Sequence, residues 1–278
     1  MHDLTLNKLG IYEKALPPFS SWNDALEITR RCGYDFLEIS IDESTERLAR
    51  LSWGRSEISQ LRTAITETGV PVRTLCLSGH RKFPFASEDV LTQERAWEML
   101  RQALNLCGEL GIPIIQTPGH DVYYEPSTDS TWKRYEDALQ RASEMCRDAS
   151  VMLGLENADK PCVGSLDQAR ALVTRTGNPW FQLYPDIGNV VAHGYEIGPE
   201  IERAYQHFVS VHIKDARPGE FRRVPFGEGT VPFRDAFAAL RNVRYGGPFV
   251  IEMWNESSDD PEGVIRTARE WVRRQMAP

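Results

Sequence analysis

The sequence predicts an α/β fold, a single (β/α)₈ TIM barrel that spans residues 1–278. Short apolar runs alternate with longer amphipathic stretches along the whole chain, as in repeated βα units. Eight such runs are present, and 278 residues is a typical length for one barrel. A doubly wound open sheet is the alternative. It usually carries a Gly-rich phosphate loop after its first strand, whereas the first run here leads into YEKALPPF (12–19).

The eight apolar runs are the predicted strands, and each is short enough to be one strand of a barrel. They are LNKLGIY (6–12), DFLEIS (35–40), VPVRTLCL (70–77), IPIIQT (112–117), VMLGLE (151–156), WFQLYPD (180–186), FVSVHIK (208–214) and PFVIEM (248–253).

The amphipathic stretches between them are the predicted helices. Several end at a glycine, which suits the left-handed position just past a helix. No low-complexity segment or linker interrupts the alternation, so we expect one domain. The predicted helices cover 22–32, 57–68, 89–110, 131–149, 165–176, 198–207, 232–242 and 259–275.

Composition and charge exclude several classes of protein. The net charge of −8 argues against a nucleic-acid partner, which needs a concentrated cationic surface. No run of about 18 apolar residues is present, so no membrane span is expected. The first residues do not resemble a signal peptide, and the five cysteines form no CxxC pair. We therefore expect a cytoplasmic protein without a cysteine-based zinc site.

The last four predicted strands carry the candidate site. In each of them one face is apolar, and the other face presents one residue of a type that ligates metals. These residues lie at or near the carboxyl ends of the strands, where barrel enzymes build their sites. Any one alone would be read as a solvated carboxylate or a hydrogen-bonded histidine, but four in register predict one divalent ion, Mn²⁺, Zn²⁺, Co²⁺ or Mg²⁺. The four residues are Glu156, Asp186, His212 and Glu252.

Several motifs also resemble one enzyme family, the L-xylulose-5-phosphate 3-epimerases, which form L-ribulose 5-phosphate in ascorbate and related sugar degradation. That family lies within the xylose-isomerase-like barrels, together with the D-tagatose 3-epimerases. The resemblance extends from residue 9 to residue 275 or so. It is carried by GIYEKAL (10–16), CLSGHRKFPF (76–85), GHDVYYE (119–125), YPDIGN (184–189), HIKD (212–215), VPFGEG (224–229) and IEMW (251–254).

The resemblance implies a metal-dependent isomerase that inverts C3 of a small-molecule ketose phosphate, from L-xylulose 5-phosphate to L-ribulose 5-phosphate. The metal would lie on the four predicted ligands, and Glu156 and Glu252 would double as the acid–base pair. The proton alpha to the C2 carbonyl would leave, a cis-enediolate would form, and a proton would return from the opposite face. Relatives also imply a homodimer.

Further residues are candidates for contacts with the sugar. Arg222 and Arg223 precede VPFGEG, where related epimerases place an arginine against a substrate oxygen, and the sequence does not decide between them. Lys214 shares the face of His212 and would meet an oxyanion or form a salt bridge. Asn189 stands where the tagatose epimerases carry a histidine, and Trp254 would form an apolar wall.

The substrate phosphate requires cations or a nest of backbone N–H groups. Lys14 follows the first predicted strand, and His80 and Arg81 follow the third, so all three are candidates. Basic loop residues are also commonly just solvated.

Other functions compete with the 3-epimerase. An epimerase of a free ketose, or an aldose–ketose isomerase, would use the same metal site and the same enediolate chemistry. An apurinic endonuclease uses this barrel with three zinc ions, but it would need more histidines and a basic face. A binding protein without catalysis would not need both Glu156 and Glu252.

Overall fold

The computed structural model of the protein describes residues 2–255 and 258–277. Within them eight strands are parallel to their neighbours, and helices connect them in sequence. The strands are β1 (Leu9–Tyr12), β2 (Phe36–Ser40), β3 (Val72–Cys76), β4 (Ile114–Pro118), β5 (Met152–Glu156), β6 (Phe181–Leu183), β7 (Val211–Ile213) and β8 (Phe249–Ile251).

The strands form a nearly complete ring in the order β6-β5-β4-β3-β2-β1-β8-β7. The ring closes between its two ends, where parallel bridges pair Leu183 with Phe208 and Asp186 with His212. At this seam the His212 amide donates to the Pro185 carbonyl at 2.7 Å. The predicted eight-stranded barrel is confirmed.

The eight predicted helices are all present, with ends shifted by a few residues. The helices predicted over 57–68 and 165–176 are followed by Gly69 and Gly177, which take φ of 70° and 63°, the left-handed conformation that a side chain disfavours. The helices are α1 (Trp22–Arg31), α2 (Thr45–Ala49), α3 (Arg55–Thr68), α4 (Val90–Leu110), α5 (Asp129–Asp148), α6 (Leu166–Thr176), α7 (Ile187–Ala192), α8 (Ile197–Ala204), α9 (Phe233–Asn242) and α10 (Pro261–Met276).

Two short helices were not predicted, α2 and α7, because five or six residues are too few to show a helical period. α7 has a local cause. The carboxylate of Asp186 accepts a hydrogen bond from the Asn189 amide at 2.8 Å and so caps the helix. The predicted strand 180–186 therefore ends early, at Leu183, and Asp186 lies just beyond it.

The core has two layers, as the two-residue period of the strands predicts. Outward side chains of the strands pack against the helices, and examples are Leu153, Leu155, Val211 and Ile213. A smaller cluster fills the barrel interior and consists of Tyr12, Phe36, Cys76, Tyr184 and Val250. In the described parts of the chain, no helix combines the length and apolar character needed to cross a bilayer.

Candidate active site at the carboxyl ends of the strands

The four predicted ligands meet at one end of the barrel. Each offers a donor atom, and these atoms all lie within 4.8 Å of one another. Glu156 ends β5, Asp186 follows β6, His212 is inside β7, and Glu252 follows β8. Asp186 is fully buried, and even Glu252, the most exposed of the four, is only 9% exposed. Neighbouring parallel strands end side by side, so four successive strand ends can share one centre.

His212 and Lys214 organise the centre, because each contacts two of the carboxylates. The Nδ1 atom of His212 lies 2.8 Å from Oε1 of Glu156 and 3.4 Å from Oε2 of Glu252. The ammonium of Lys214 lies 2.6 Å from Oδ2 of Asp186 and 3.2 Å from Oε2 of Glu252. Of the two roles considered for Lys214, the salt bridge to Asp186 is the one that the structure contains.

The donor set fits a divalent metal ion. Three carboxylates are buried close together, and a divalent cation would offset their mutual repulsion. Burial raises the pKa of Asp186 above its usual range, and the nearby carboxylates of Glu252 and Glu156 add to the effect against the opposing charge of Lys214. Burial also acts to raise the pKa of Glu252, but Lys214 and His212 outweigh it and hold that pKa well below its usual range. Carboxylate oxygen and imidazole nitrogen suit Mn²⁺, Zn²⁺ and Co²⁺.

Two buried residues from the first half of the barrel support the centre and were missed in the sequence. Oε1 of Glu38 lies 2.7 Å from Nε2 of His212, and its Oε2 accepts a hydrogen bond from Tyr184 at 2.6 Å. The side-chain amide of Gln116 donates to Oε2 of Glu156 at 2.6 Å. Their signal is a polar side chain inside an otherwise apolar strand, FLEIS or IIQTP.

Asn189 takes part in a frame that holds Asp186. Asn157 accepts from the Asp186 amide at 2.8 Å and donates to its carbonyl at 2.9 Å. Asn189 is buried, and its amide donates to the Asn157 carbonyl at 2.8 Å. The side-chain oxygen of Asn189 has no hydrogen-bond partner in the described residues.

The two arginines before VPFGEG point to different places. Arg222 forms an ion pair with Asp159 and also donates to the hydroxyl of Tyr123 at 3.4 Å. Arg223 adopts a left-handed φ of 62°, and its guanidinium lies 5.9 Å from the ring centre of Trp254. The side chain of Arg222 therefore points toward the loops after β4 and β5, and that of Arg223 points toward the end of β8.

The same loop is anchored by Asp215. Its buried carboxylate accepts from the backbone amides of Gly227 at 2.9 Å and Gly229 at 3.0 Å. A Cβ atom at Gly229 would lie only 2.0 Å from that carboxylate, so the close approach requires glycine. The HIKD and VPFGEG motifs thus contact each other directly.

Two adjoining cavities lead away from the four-ligand centre. The first, about 270 Å³, is lined by residues that include Lys214, Glu252, Arg223 and Trp254. The second, about 630 Å³, shares Arg223 and Trp254 with the first and continues to Lys14 and Arg47. The ammonium of Lys14 lies 2.6 Å from Oδ2 of Asp42, which keeps it in place at the wall of this cavity.

The other phosphate candidates lie after β3. Burial lowers the pKa of His80 to about 4, so its ring is neutral at pH 7 and brings no positive charge. Its Nε2 atom lies 3.3 Å from the Ala96 carbonyl. Arg81 stands 5.4 Å from the ring centre of Tyr123 and is attracted by the Asp159 carboxylate. These two residues do not line either cavity described above.

The protein is a closed eight-stranded barrel in which three carboxylates and an imidazole converge at the carboxyl ends of the strands. It is therefore a TIM barrel with a candidate centre for a divalent metal. The chain belongs to the xylose isomerase-like TIM barrel family, which it matches over residues 26–275. The family membership predicted from the motifs is confirmed.

Individual relatives are similar over nearly their whole length. The chain is 44% identical over 269 residues to L-ribulose-5-phosphate 3-epimerase UlaE of Escherichia coli (strain K12 / DH10B), covering 97% of this chain and 95% of the relative. Among solved structures, an L-ribulose 3-epimerase superposes with a TM-score of 0.82 at 21% identity, covering 98% of this chain and 95% of the other. The IOLI protein with a zinc atom bound superposes with a TM-score of 0.80 at 18% identity, covering 97% and 98%. The two superpositions show that the fold is the same.

Proposed function

We propose that this chain is a metal-dependent 3-epimerase of a ketopentose 5-phosphate that interconverts L-xylulose 5-phosphate and L-ribulose 5-phosphate. The observation that carries the proposal is the 44% identity, over 97% of the chain, to an L-ribulose-5-phosphate 3-epimerase. The cluster of four metal-capable side chains at the active end of the barrel supports it. On the family resemblance we also propose a cytoplasmic homodimer.

Glu156, Asp186, His212 and Glu252 would hold one divalent ion, Mn²⁺, Zn²⁺, Co²⁺ or Mg²⁺. The IOLI protein, which has a similar fold, binds a zinc atom, and this supports the proposal that this chain binds a metal. When bound, the ion would polarise the C2 carbonyl and stabilise negative charge on the oxygens of C2 and C3.

Glu156 and Glu252 would carry out the proton transfers. One carboxylate takes the proton from C3, and the electron pair of that bond forms the C2–C3 double bond while charge moves to O2. The other group, protonated, returns a proton to the opposite face of C3, and the two exchange roles when the reaction reverses. Glu252 is held ionised by Lys214, as a base requires. Gln116 and His212 keep Glu156 in one orientation.

The two cavities suggest how the substrate lies. The sugar would occupy the smaller one, against Lys214 and the apolar wall of Trp254. The phosphate would reach into the larger one, toward Lys14, with Arg223 between the two. An anionic group gains most from cations that a cavity wall already holds in place.

The remaining candidates would serve the other end of the sugar. Arg222 is oriented by Asp159, and the side-chain oxygen of Asn189 has no hydrogen-bond partner among the residues described, so both are proposed as contacts for substrate hydroxyl groups. Arg81 stands beside Tyr123 on the same side. His80, being buried and neutral, would shape this loop rather than bind the phosphate.

The test is a substrate panel followed by proton NMR in D₂O, with L-ribulose 5-phosphate, its D-isomer, free L-ribulose and two hexulose 6-phosphates. We expect L-ribulose 5-phosphate to react fastest, with deuterium entering at C3. Exhaustive chelation should stop the reaction, and Mn²⁺ should restore it. Deuterium at C1 of the ketose would instead indicate an aldose–ketose isomerase. A free sugar reacting as fast as its phosphate would indicate a free-ketose epimerase, and a full rate after chelation would refute the metal-dependent reaction.

A further inference from the structure

Glu38 is an unusual residue for its position. It lies in the middle of β2, it is fully buried, and its side chain points into the barrel between Phe36 and Ser40. In the described part of the chain its only ion pair is with His212, and no lysine or arginine reaches it. A carboxylate buried this deeply is costly, so its partners indicate what it does.

The partners of Glu38 determine which nitrogen of His212 carries the proton. An ionised carboxylate only accepts hydrogen bonds, so the 2.7 Å contact requires a proton on Nε2 of the histidine. When a metal is bound the imidazole is neutral, and the other nitrogen, Nδ1, then has a lone pair. That atom faces Glu156 and Glu252, at 2.8 Å and 3.4 Å.

The second oxygen of Glu38 is held as well. The Tyr184 hydroxyl donates to it at 2.6 Å, and the Tyr184 ring lies edge-on to the His212 ring with 4.7 Å between centres. Because Tyr184 immediately follows β6, this contact joins three strands across the barrel interior. Neither the carboxylate nor the imidazole is free to rotate without breaking a buried hydrogen bond.

We propose that Glu38 is a positioning residue that selects the Nε2-protonated tautomer of His212 and aims Nδ1 at the four-ligand centre, with Tyr184 holding the carboxylate in place. This inference rests on the proposed metal-dependent function. A carboxylate behind a ligating histidine generally orients the ring and strengthens the metal–nitrogen bond.

The test compares Mn²⁺ binding by the metal-stripped full-length protein and its Glu38→Gln variant, measured by isothermal titration calorimetry. Glutamine has nearly the same shape, but its amide can donate to Nε2 and so stabilises the wrong tautomer. We expect the Mn²⁺ dissociation constant to rise about 10- to 100-fold. In Zn²⁺-loaded samples, where the ring carries a single proton, ¹⁵N NMR of the histidine side chains should show Nε2-protonated His212 in the wild type and a shift toward the other tautomer in the variant.

Two further variants separate positioning from a loss of folding. Tyr184→Phe removes one hydrogen bond to Glu38, so we expect a smaller rise in the dissociation constant and a correspondingly smaller change in tautomer. Ser40→Ala lies on the same face of the same strand and removes a 3.0 Å contact with Tyr12 instead, so it should bind Mn²⁺ as the wild type does.

An unchanged affinity and tautomer in Glu38→Gln would overturn the inference. If that variant does not fold, unchanged values in Tyr184→Phe would overturn it equally. A wild-type protein that binds no divalent ion would refute the proposed function itself. Equal Mn²⁺ binding by all variants, with an active wild type, would refute only the role of Glu38.

Discussion

The first four strands, β1–β4, and the last four, β5–β8, present different polar side chains to the interior of the barrel. All four members of the metal-capable cluster come from the second half, at or near the strand ends. The first half contributes Glu38 and Gln116, which lie inside their strands and reach across to His212 and Glu156. One half therefore supplies the candidate ligands, and the other supplies the groups that orient them.

The loops that follow the strands repeat this division. Lys14 and Arg47 come from the first half and line the larger cavity. Lys214 and Arg223 come from the second half and line the smaller one beside Glu252. In the proposed function the chemical steps depend on the second half of the barrel. Recognition of the phosphate depends mainly on Lys14 of the first half, while Arg223 of the second half lines both cavities. We therefore expect variants of the proton-transfer residues in the second half to lower kcat, and variants of the phosphate contact in the first half to raise KM.

The largest effect is expected in the second half, for Glu156→Gln and Glu252→Gln. Each removes a carboxylate assigned to proton transfer, so at saturating Mn²⁺ kcat should fall about 10²- to 10⁴-fold. Exchange of the C3 proton with D₂O, followed by NMR, should fall equally, while circular dichroism shows an intact fold. Ser40→Ala in the first half is the matched control and should keep kcat. Near-normal exchange in either glutamine variant would contradict the assignment.

An intermediate effect is expected in the first half, for Lys14→Met. Loss of a charge-assisted contact should raise KM for the phosphorylated substrate about 10- to 100-fold with little change in kcat, because such contacts contribute about 1.5 to 3 kcal/mol. The free sugar should be much less affected. The measurement is steady-state kinetics with both substrates.

Two controls sharpen the Lys14 prediction. Lys8→Met removes an exposed lysine that pairs with Asp35 at 2.8 Å, and it should leave KM unchanged. Lys14→Met alone leaves the Asp42 carboxylate without its lysine partner. The double variant Lys14→Met/Asp42→Asn tests whether that carboxylate repels the phosphate, and its KM should lie between those of the wild type and Lys14→Met. Arg81→Met should affect the phosphorylated and free sugars alike. If Arg81→Met instead affects only the phosphorylated sugar, the phosphate lies on the opposite side from the one proposed.

The remaining effect is on stability and not on catalysis, and it concerns His80. Burial lowers its pKa from the usual 6.5 to about 4. As the pH falls from 6.5 toward 4, the unfolded chain therefore binds a proton that the folded chain does not. The free energy of unfolding should fall over this window by up to about 3 kcal/mol from this group alone.

Urea unfolding at pH 8, 7, 6 and 5 checks this prediction with the His80→Leu variant. Between pH 8 and 7 the variant and wild type should differ by a constant amount. Below pH 6.5 the wild type should lose stability more steeply. Parallel curves over the whole range would show that the pKa of His80 is the same in the folded and the unfolded chain, and would contradict its description as a ring kept neutral by burial.

The fold and the four-ligand cluster were both accessible from the sequence because they depend on local regularities. The period of two within a strand gives the face of Glu156 and His212, and the barrel brings consecutive strand ends together. Asp186 lies in the cluster, as expected from the sequence, although the strand before it ends early, at Leu183. The helical period located every long helix, whereas α2 and α7 were too short to show one.

Contacts across the barrel were not accessible in the same way. Glu38 and His212 are 174 positions apart, and no spacing in the sequence relates them. The direction of Arg222 and Arg223 depends on a left-handed backbone at Arg223 and on Asp159 in another loop. The neutral state of His80 follows from burial, which a basic-looking loop does not reveal.

The amino-acid sequence by itself thus determined the barrel, its family and the four residues of the metal-capable cluster, because hydrophobic periodicity and strand-end position are properties of short segments. Only the tertiary structure decided which nitrogen of His212 faces that cluster, which arginine faces Trp254, and which basic residues line a cavity. Those features arise where side chains from distant segments meet, and burial and hydrogen bonding there set both orientation and charge.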